Sequence, residues 1–198
     1  MISAEDYNYL INNYFLIVYA DCLAYLGQKP VEVLIEMESA FMHFSIYSNE
    51  KNEEIRAENL QKAYNHIVRA TLDCQKLIWL QMHELIEGIY KDPNLRKFCT
   101  NSTEQSFLAE CNEFFELAKI ARRDEINNIG KKPLKSIESY YHLLEKGHSI
   151  LNSVDCDKKE QFNRYSKFLG IKKNIVELII SFAGGLISGV ILMIILGP

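Results

Sequence analysis

Few stretches of this 198-residue chain bring together side chains able to do chemistry. His83-Glu84-Leu85-Ile86-Glu87 begins like the H-E-x-x-H helix of a zinc protease. Glu87 stands where the second histidine must be, so one metal ligand is lost with no obvious replacement. Glu145-Lys146-Gly147-His148 is a single Glu-x-x-His. A di-iron bundle needs two such motifs and two more inward-facing glutamates, and a second copy does not occur. Glu138 and His142 are four apart and share a helix face, a spacing that suits a surface or capping contact. There is no G-x-G-x-x-G, no Walker loop and no G-x-S-x-G. Asn101-Ser102-Thr103 is a glycosylation acceptor only in a lumenal protein. The cysteines, Cys22, Cys74, Cys99, Cys111 and Cys156, are odd in number and contain no C-x-x-C. That pattern argues against a disulfide framework or zinc ribbon and fits a reducing compartment. Sequence reasoning therefore assigns no catalytic residue, no metal ligand and no cofactor.

Arg122-Arg123-Asp124-Glu125 falls near a helix C-terminus, where cations are favoured. It reads as a solvated end with local ion pairs, or as a polar contact with another subunit or a charged small ligand. The net charge of −4 gives no basic excess that would make nucleic acid the main partner.

The elements that must position these groups are helices. Glycine and proline are scarce, and four of the nine glycines lie in the last fifteen residues. Ser3 is a candidate N-cap for a first helix to Leu26, closed by Gly27. Its apolar run Tyr14–Ala20 is too short to span a bilayer and is expected in the core, the alternative being a helix lying on the membrane or on a partner subunit. Pro30 to Ser48 is a second helix, with Val31, Leu34, Met37, Phe41, Phe44 and Ser48 along one face and Val33, Ile35 and Ile46 widening the apolar set. Glu53 to Lys91 is the longest soluble helix and ends at Asp92-Pro93. Residues 94–102 read as a connection. Ser102 and Gln105 have capping-box spacing for a fourth helix to Asn128. Gly130 would cap that helix, and a fifth runs from Pro133 to Ser153. The expected fold class is all-α, an antiparallel bundle of about five long helices plus one C-terminal transmembrane helix. The expected domains are a cytoplasmic bundle over 1–156, a basic juxtamembrane helix over 157–174 and an anchor over 175–198.

From Leu178 to Pro198 there is no charged residue. About 20 apolar residues suffice to cross a roughly 30 Å hydrocarbon core. Lys158, Lys159, Arg164, Lys167, Lys172 and Lys173 precede this run, and the acidic N-terminus has no signal-peptide character. The positive-inside rule then places the body in the cytoplasm, with the chain tail-anchored. Lys167, Lys172 and Lys173 lie closest to anionic lipid. Ser181, Gly185 and Gly189 recur every four residues, and Gly184 and Ser188 widen this small-residue surface. Small residues let helix backbones approach in lipid, so the span is expected to self-associate. Glu177 lies about one turn inside the apolar limit, where it can snorkel, bind Lys173 or line a pore.

The stretch Glu58-Asn59-Leu60-Gln61-Lys62-Ala63-Tyr64-Asn65-His66-Ile67-Val68-Arg69-Ala70-Thr71-Leu72-Asp73-Cys74-Gln75-Lys76-Leu77 resembles the long helix of HEPN-like domains. That resemblance covers a quarter to a half of the chain. It implies an all-α fold and a place among membrane-associated accessory proteins of prokaryotic RNA-guided or anti-phage defence. The family's RNase signature is an arginine followed, after four to six residues, by a histidine. Arg56, Arg69, Arg96, Arg122, Arg123 and Arg164 all lack a histidine at that distance. The resemblance thus points to a scaffold rather than a ribonuclease.

The expected function is a non-enzymatic tail-anchored effector that self-associates and perturbs the membrane. Its expected partners are membrane lipid, further copies of itself, and a protein or RNA of a defence system. The alternatives are a plain adaptor and a tethered RNA-binding or degenerate HEPN-like domain. The RNA-binding form requires Asn65, His66, Arg69 and Asp73 to converge in a polar groove.

Overall fold

A computed structural model describes residues 2–128, 131–155, 157–164 and 167. The fold is all-α. Among the described residues the regular elements are all helical, and the extended pairing is one isolated bridge between Thr100 and Val154. The expected C-terminal anchor, 175–198, and the cap at Gly130 lie outside the described residues.

The N-terminal helix is α1 (Ala4–Leu10), a π turn (Ile11–Phe15) and α2 (Leu16–Leu26) in one continuous run. Ser3 caps it: Ser3 Oγ accepts from the Asp6 amide at 3.1 Å, and Asp6 Oδ2 accepts from the Ser3 amide at 2.9 Å. The π turn explains the burial pattern. Tyr7, Leu10, Phe15, Val18 and Cys22 are the buried residues, and the step from Leu10 to Phe15 is five. Five residues of regular α-helix would rotate Phe15 away from Leu10, and the wider turn absorbs the extra residue. Gly27, at φ +65°, ends the helix in the left-handed region that favours glycine.

α3 (Val31–Asn49) returns, and α4 (Glu53–Lys91) follows with Asn52 as its N-cap. Thirty-nine residues make α4 roughly 58 Å long at 1.5 Å per residue. It is the spine: α2 and α3 pack along it, and α7 (Pro133–Asn152) does too. α6 (Glu104–Asn128) lies chiefly against α7. The core is continuous from Leu10 and Val33 through Ile67, Ile78 and Ile86 to Phe107, Phe114, Ile137, Tyr140 and Ile150.

Four expectations are corrected. The stretch over 94–102 contains a helix, α5 (Pro93–Cys99), because Asp92 does more than end α4. Its Oδ1 accepts from the amides of Asn94 and Leu95 at 2.8 and 3.2 Å, with Pro93 in the first helical position. The cap of α6 is Thr103, not Ser102: Thr103 Oγ1 accepts from the Ser106 amide at 3.3 Å, whereas Ser102 Oγ is buried without a partner. The N-terminal pair is less buried than core helices would be. Ala4–Leu26 is, among the described residues, the one helix long and apolar enough to cross a membrane, and 22% of its most apolar window is buried. Finally, Val31 and Phe41, expected on one apolar face of α3 with Met37 and Phe44, are 63% and 75% exposed, while Met37 and Phe44 pack on the core.

The end of α5 is tied to the end of α7. The Asn101 amide donates to the Ser153 carbonyl at 2.8 Å and the Asp155 amide to the Cys99 carbonyl at 2.7 Å. The chain then turns helical again over 157–164, where Phe162 stacks on Phe98 at 6.2 Å.

Candidate functional site

Two surfaces of the bundle carry more than packing requires. The first is a groove of about 1010 Å³ where α4 passes the joint between α6 and α7. α4 contributes Gln61, Tyr64, Asn65, Val68, Arg69 and Leu72, a set spaced three and four apart and therefore on one face. Across from it lie Lys131, Lys132, Lys135 and Ser136. Asn65 and Arg69 thus reach a common groove, but His66 and Asp73 leave it. His66 points to α3, where its Nδ1 is 2.6 Å from Glu36 Oε2 and its ring stacks on His43 at 5.3 Å. Asp73 pairs with Lys76 at 2.8 Å. On the helix wheel the four positions fall within an arc of about 100°, but the groove is centred to one side of it, so that Asn65 and Arg69 stand at its edge while His66 and Asp73 lie beyond.

The far wall is fixed by the ends of α6 and α7. Asp124 accepts from Ser139 Oγ at 2.7 Å, and its carbonyl accepts from Ser136 Oγ at 3.2 Å. The Ser139 hydroxyl, with Lys135 beyond it, holds the Asp124 carboxyl below its ordinary value. Glu125 takes the Tyr140 hydroxyl at 2.9 Å and Lys76 Nζ at 3.2 Å. Burial raises Tyr140 to about 12, so the phenol stays a donor. Arg122-Arg123-Asp124-Glu125, expected as a solvated end with local ion pairs, thus has one such pair among the described residues, Arg122–Glu125 at 3.4 Å, and two acids drawn into contacts with α4 and α7. Arg69, Lys131 and Lys132 form no ion pair among the described residues. The arrangement can hold a multiply charged anion and offers no group placed for acid–base or nucleophilic chemistry. Among the described residues no three His, Cys, Asp or Glu side chains gather where they could hold a metal. The lysines of this groove were missed in the sequence, where 128–133 had been used only as helix punctuation; the cluster Lys131-Lys132-x-x-Lys135 was the available signal.

The second surface is the outer side of α3. Val31, Ile35, Met42 and Ile46 are exposed, and their spacings of four, seven and four keep them on one face. The opposite face, with Val33, Met37, Ala40, Phe44 and Tyr47, packs on the core. Leu16 and Ile17 of α2 are also about half exposed. A helix apolar on both sides normally has neighbours on both sides.

The remaining sequence candidates stay apart. His83 touches Trp79 and Phe115, His142 lies 3.4 Å from Glu145, and His148 Nδ1 lies 3.1 Å from the Tyr25 hydroxyl. Cys22, Cys74, Cys99 and Cys111 are buried free thiols. Burial pushes Cys111 up to about 11, away from thiolate chemistry. Lys167 is helical and exposed. Lys172, Lys173, Glu177, Ser181, Gly184, Gly185, Ser188 and Gly189 lie outside the described residues. Comparison with protein-family models, with curated proteins and with solved structures finds no match.

Proposed function

We propose that the chain is a non-enzymatic membrane effector that works by self-assembly, its C-terminal segment 175–198 spanning the bilayer and its helical body packing on further copies. The observation that carries this reading is the second apolar face of α3. Val31, Ile35, Met42 and Ile46 repeat at helical spacing on the side away from α4, and Leu16 and Ile17 of α2 are separately about half exposed. Exposed apolar surface of this kind marks contact with protein or lipid. The uncharged run from Leu178 to Pro198 supplies the membrane, and Ser181, Gly185 and Gly189 supply a second self-contact within it. Glu177 lies at the rim of that run. The resemblance of Glu58–Leu77 to HEPN-like domains adds the setting, prokaryotic anti-phage defence. The test is dye release from vesicles carrying the full chain. Wild type releases dye, and a Gly185→Leu, Gly189→Leu double variant does not; equal release by both sinks the proposal.

A second reading is favoured by the groove. Arg69, Lys131 and Lys132 carry charge without a described ion-pair partner, which suits the backbone of a single-stranded RNA. Arg69→Glu with Lys132→Glu then abolishes salt-dependent RNA retention by the full chain. Wild-type protein that retains no RNA at low salt removes this reading.

A further inference from the structure

Four aromatic side chains stand in a row between α4 and α6. Trp79 meets His83 at 5.8 Å, His83 meets Phe115 at 5.4 Å, and Phe115 meets Tyr90 at 5.4 Å, all tilted or edge to face. They line a pocket of about 550 Å³, within the ordinary size range of small-molecule sites. The pocket follows from helix spacing. Trp79, His83 and Glu87 are four apart on α4, and Phe115, Ala118 and Arg122 are three and four apart on α6. α7 draws α6 toward itself, so along this stretch the two aromatic faces are left with a gap.

Packing alone does not account for the rim. Lys91, Lys119, Arg122 and Arg123 surround the aromatic floor, with Glu87 as the one carboxylate in the lining. Three of the four cations have carboxylates close by on their own helix: Lys91 with Glu87 at 2.8 Å, Lys119 with Glu116 at 2.6 Å, and Arg122 with Glu125 at 3.4 Å. The Lys91–Glu87 and Lys119–Glu116 pairs join exposed side chains and are weak, whereas Glu125 is only 19% exposed and is also held by Tyr140 and Lys76. Arg123 forms no ion pair among the described residues. Trp79 gives the pocket its ring rather than its donor: its Nε1 is buried, without a hydrogen-bond partner and out of reach of an occupant.

The occupant that answers both features is flat, aromatic and anionic. We infer that this pocket binds a mononucleotide, with the base among Trp79, His83 and Phe115 and the phosphates on Arg123 and the neighbouring Arg122. Every base has a π-face, and the guanidinium fork matches phosphate. Glu87 lies beside Lys91, a turn of α4 beyond His83, and leaves the arginine end to the phosphates. The site rests on neither the membrane nor the α3 face, so it stands or falls apart from the assembly reading.

Trp79 is the only tryptophan in the chain, so its emission reports this pocket and nothing else. The full chain in mild detergent is titrated with ATP, GTP, CTP and UTP, and separately with adenosine, inorganic phosphate and a single-stranded oligonucleotide. At least one nucleotide is expected to give a saturable change, with adenosine and phosphate each about tenfold or more weaker. Arg123→Gln, at an exposed position, is expected to keep the circular dichroism of wild type and weaken the nucleotide about tenfold. Calorimetry on Trp79→Phe, which leaves a smaller aromatic face, is expected to show a smaller loss. No saturable change with any of the four nucleotides overturns the inference. So does equal binding by Arg123→Gln, and so does affinity that grows with oligonucleotide length beyond that of the mononucleotide.

Discussion

α3 and α7 flank the same spine and are almost the same length, 19 and 20 residues, yet they are used differently. α7 lies between α4 and α6 and buries Ile137, Tyr140, Leu143, Leu144, Gly147 and Ile150 in one stripe, with polar residues such as Lys135, Glu138 and Glu145 outside. α3 has α4 as its chief neighbour, fully buries Val33 and Ala40, and presents a second apolar row to the outside. A helix with two neighbours needs one broad apolar stripe. A helix with two apolar faces and one neighbour has surface to spare, and that surface is where assembly can act without disturbing the core. The contrast predicts that substitutions on α7 and its contacts change stability, and that those on the outside of α3 change association.

The largest effect is expected where α6 meets α7. Phe114 is fully buried, and Phe114→Ala is expected to cost about 3–5 kcal/mol in chemical denaturation. Phe41→Ala on α3 removes the same atoms from a side chain that is 75% exposed and is expected to cost less than about 0.5 kcal/mol. Equal costs would break the comparison.

Next comes Gly147. A Cβ there would lie 2.6 Å from Met82 Sδ and 3.0 Å from Phe114 Cε2, so α7 approaches its neighbours through the missing side chain. Gly147→Ala is expected to destabilise by about 1–3 kcal/mol, as overpacking does, although alanine is the better helix former. A stabilised variant would show that α7 is less tightly held than its burial implies.

Lys76 gives a smaller effect with a pH signature. Burial alone would lower its pKa, but Asp73 at 2.8 Å and Glu125 at 3.2 Å outweigh that and raise it above its ordinary 10.5. A group raised on folding stabilises the folded state below its unfolded pKa and loses that contribution as pH rises through the folded value. Lys76→Met is therefore expected to cost about 1–2 kcal/mol at neutral pH. Denaturation curves repeated above about pH 10.5 should bring wild type and variant together. A gap that persists unchanged as the pH is taken well past 10.5 would mean that the aliphatic stem, not the charge, holds the contact.

These contacts also separate what could be read in the sequence from what could not. Helix existence and most ends were legible, because local chemistry writes them: Ser3, Gly27, Pro30, Asn52 and Pro133 all mark boundaries in the structure. The π turn at Ile11–Phe15 was not, since it shows only as a five-residue step in burial. Asp92-Pro93 was read as a stop although the same two residues start α5. Which helix lies on which was not legible either. Phe41 and Phe44 have equal hydrophobicity, and only the position of α4 decides that one is exposed and the other stacks on Tyr7 at 4.9 Å. For the same reason the groove around Arg69 gained Lys131 and Lys132 and lost His66 and Asp73: its far wall comes from residues some sixty positions away.

The smallest effect on stability is the most informative about the assembly reading. Ile35→Ser with Met42→Ser changes two side chains on the outer row of α3, where folding buries little of either. Stability of the body should move by less than about 0.5 kcal/mol per site, because the row faces neither α4 nor the core. Each side chain buried against a second copy would, by contrast, be worth about 1.5–3 kcal/mol if fully covered. A partner copy that covers both sides of the contact would therefore be lost by tenfold or more in affinity for every 1.4 kcal/mol removed. Sedimentation of the full chain in mild detergent is expected to shift to a smaller species in the variant, with unchanged circular dichroism. An unchanged oligomer would assign assembly to the segment with Gly185 and Gly189 alone. A loss of stability comparable to Phe114→Ala would mean that α3 is held on both faces within one chain, and the contrast between α3 and α7 would disappear.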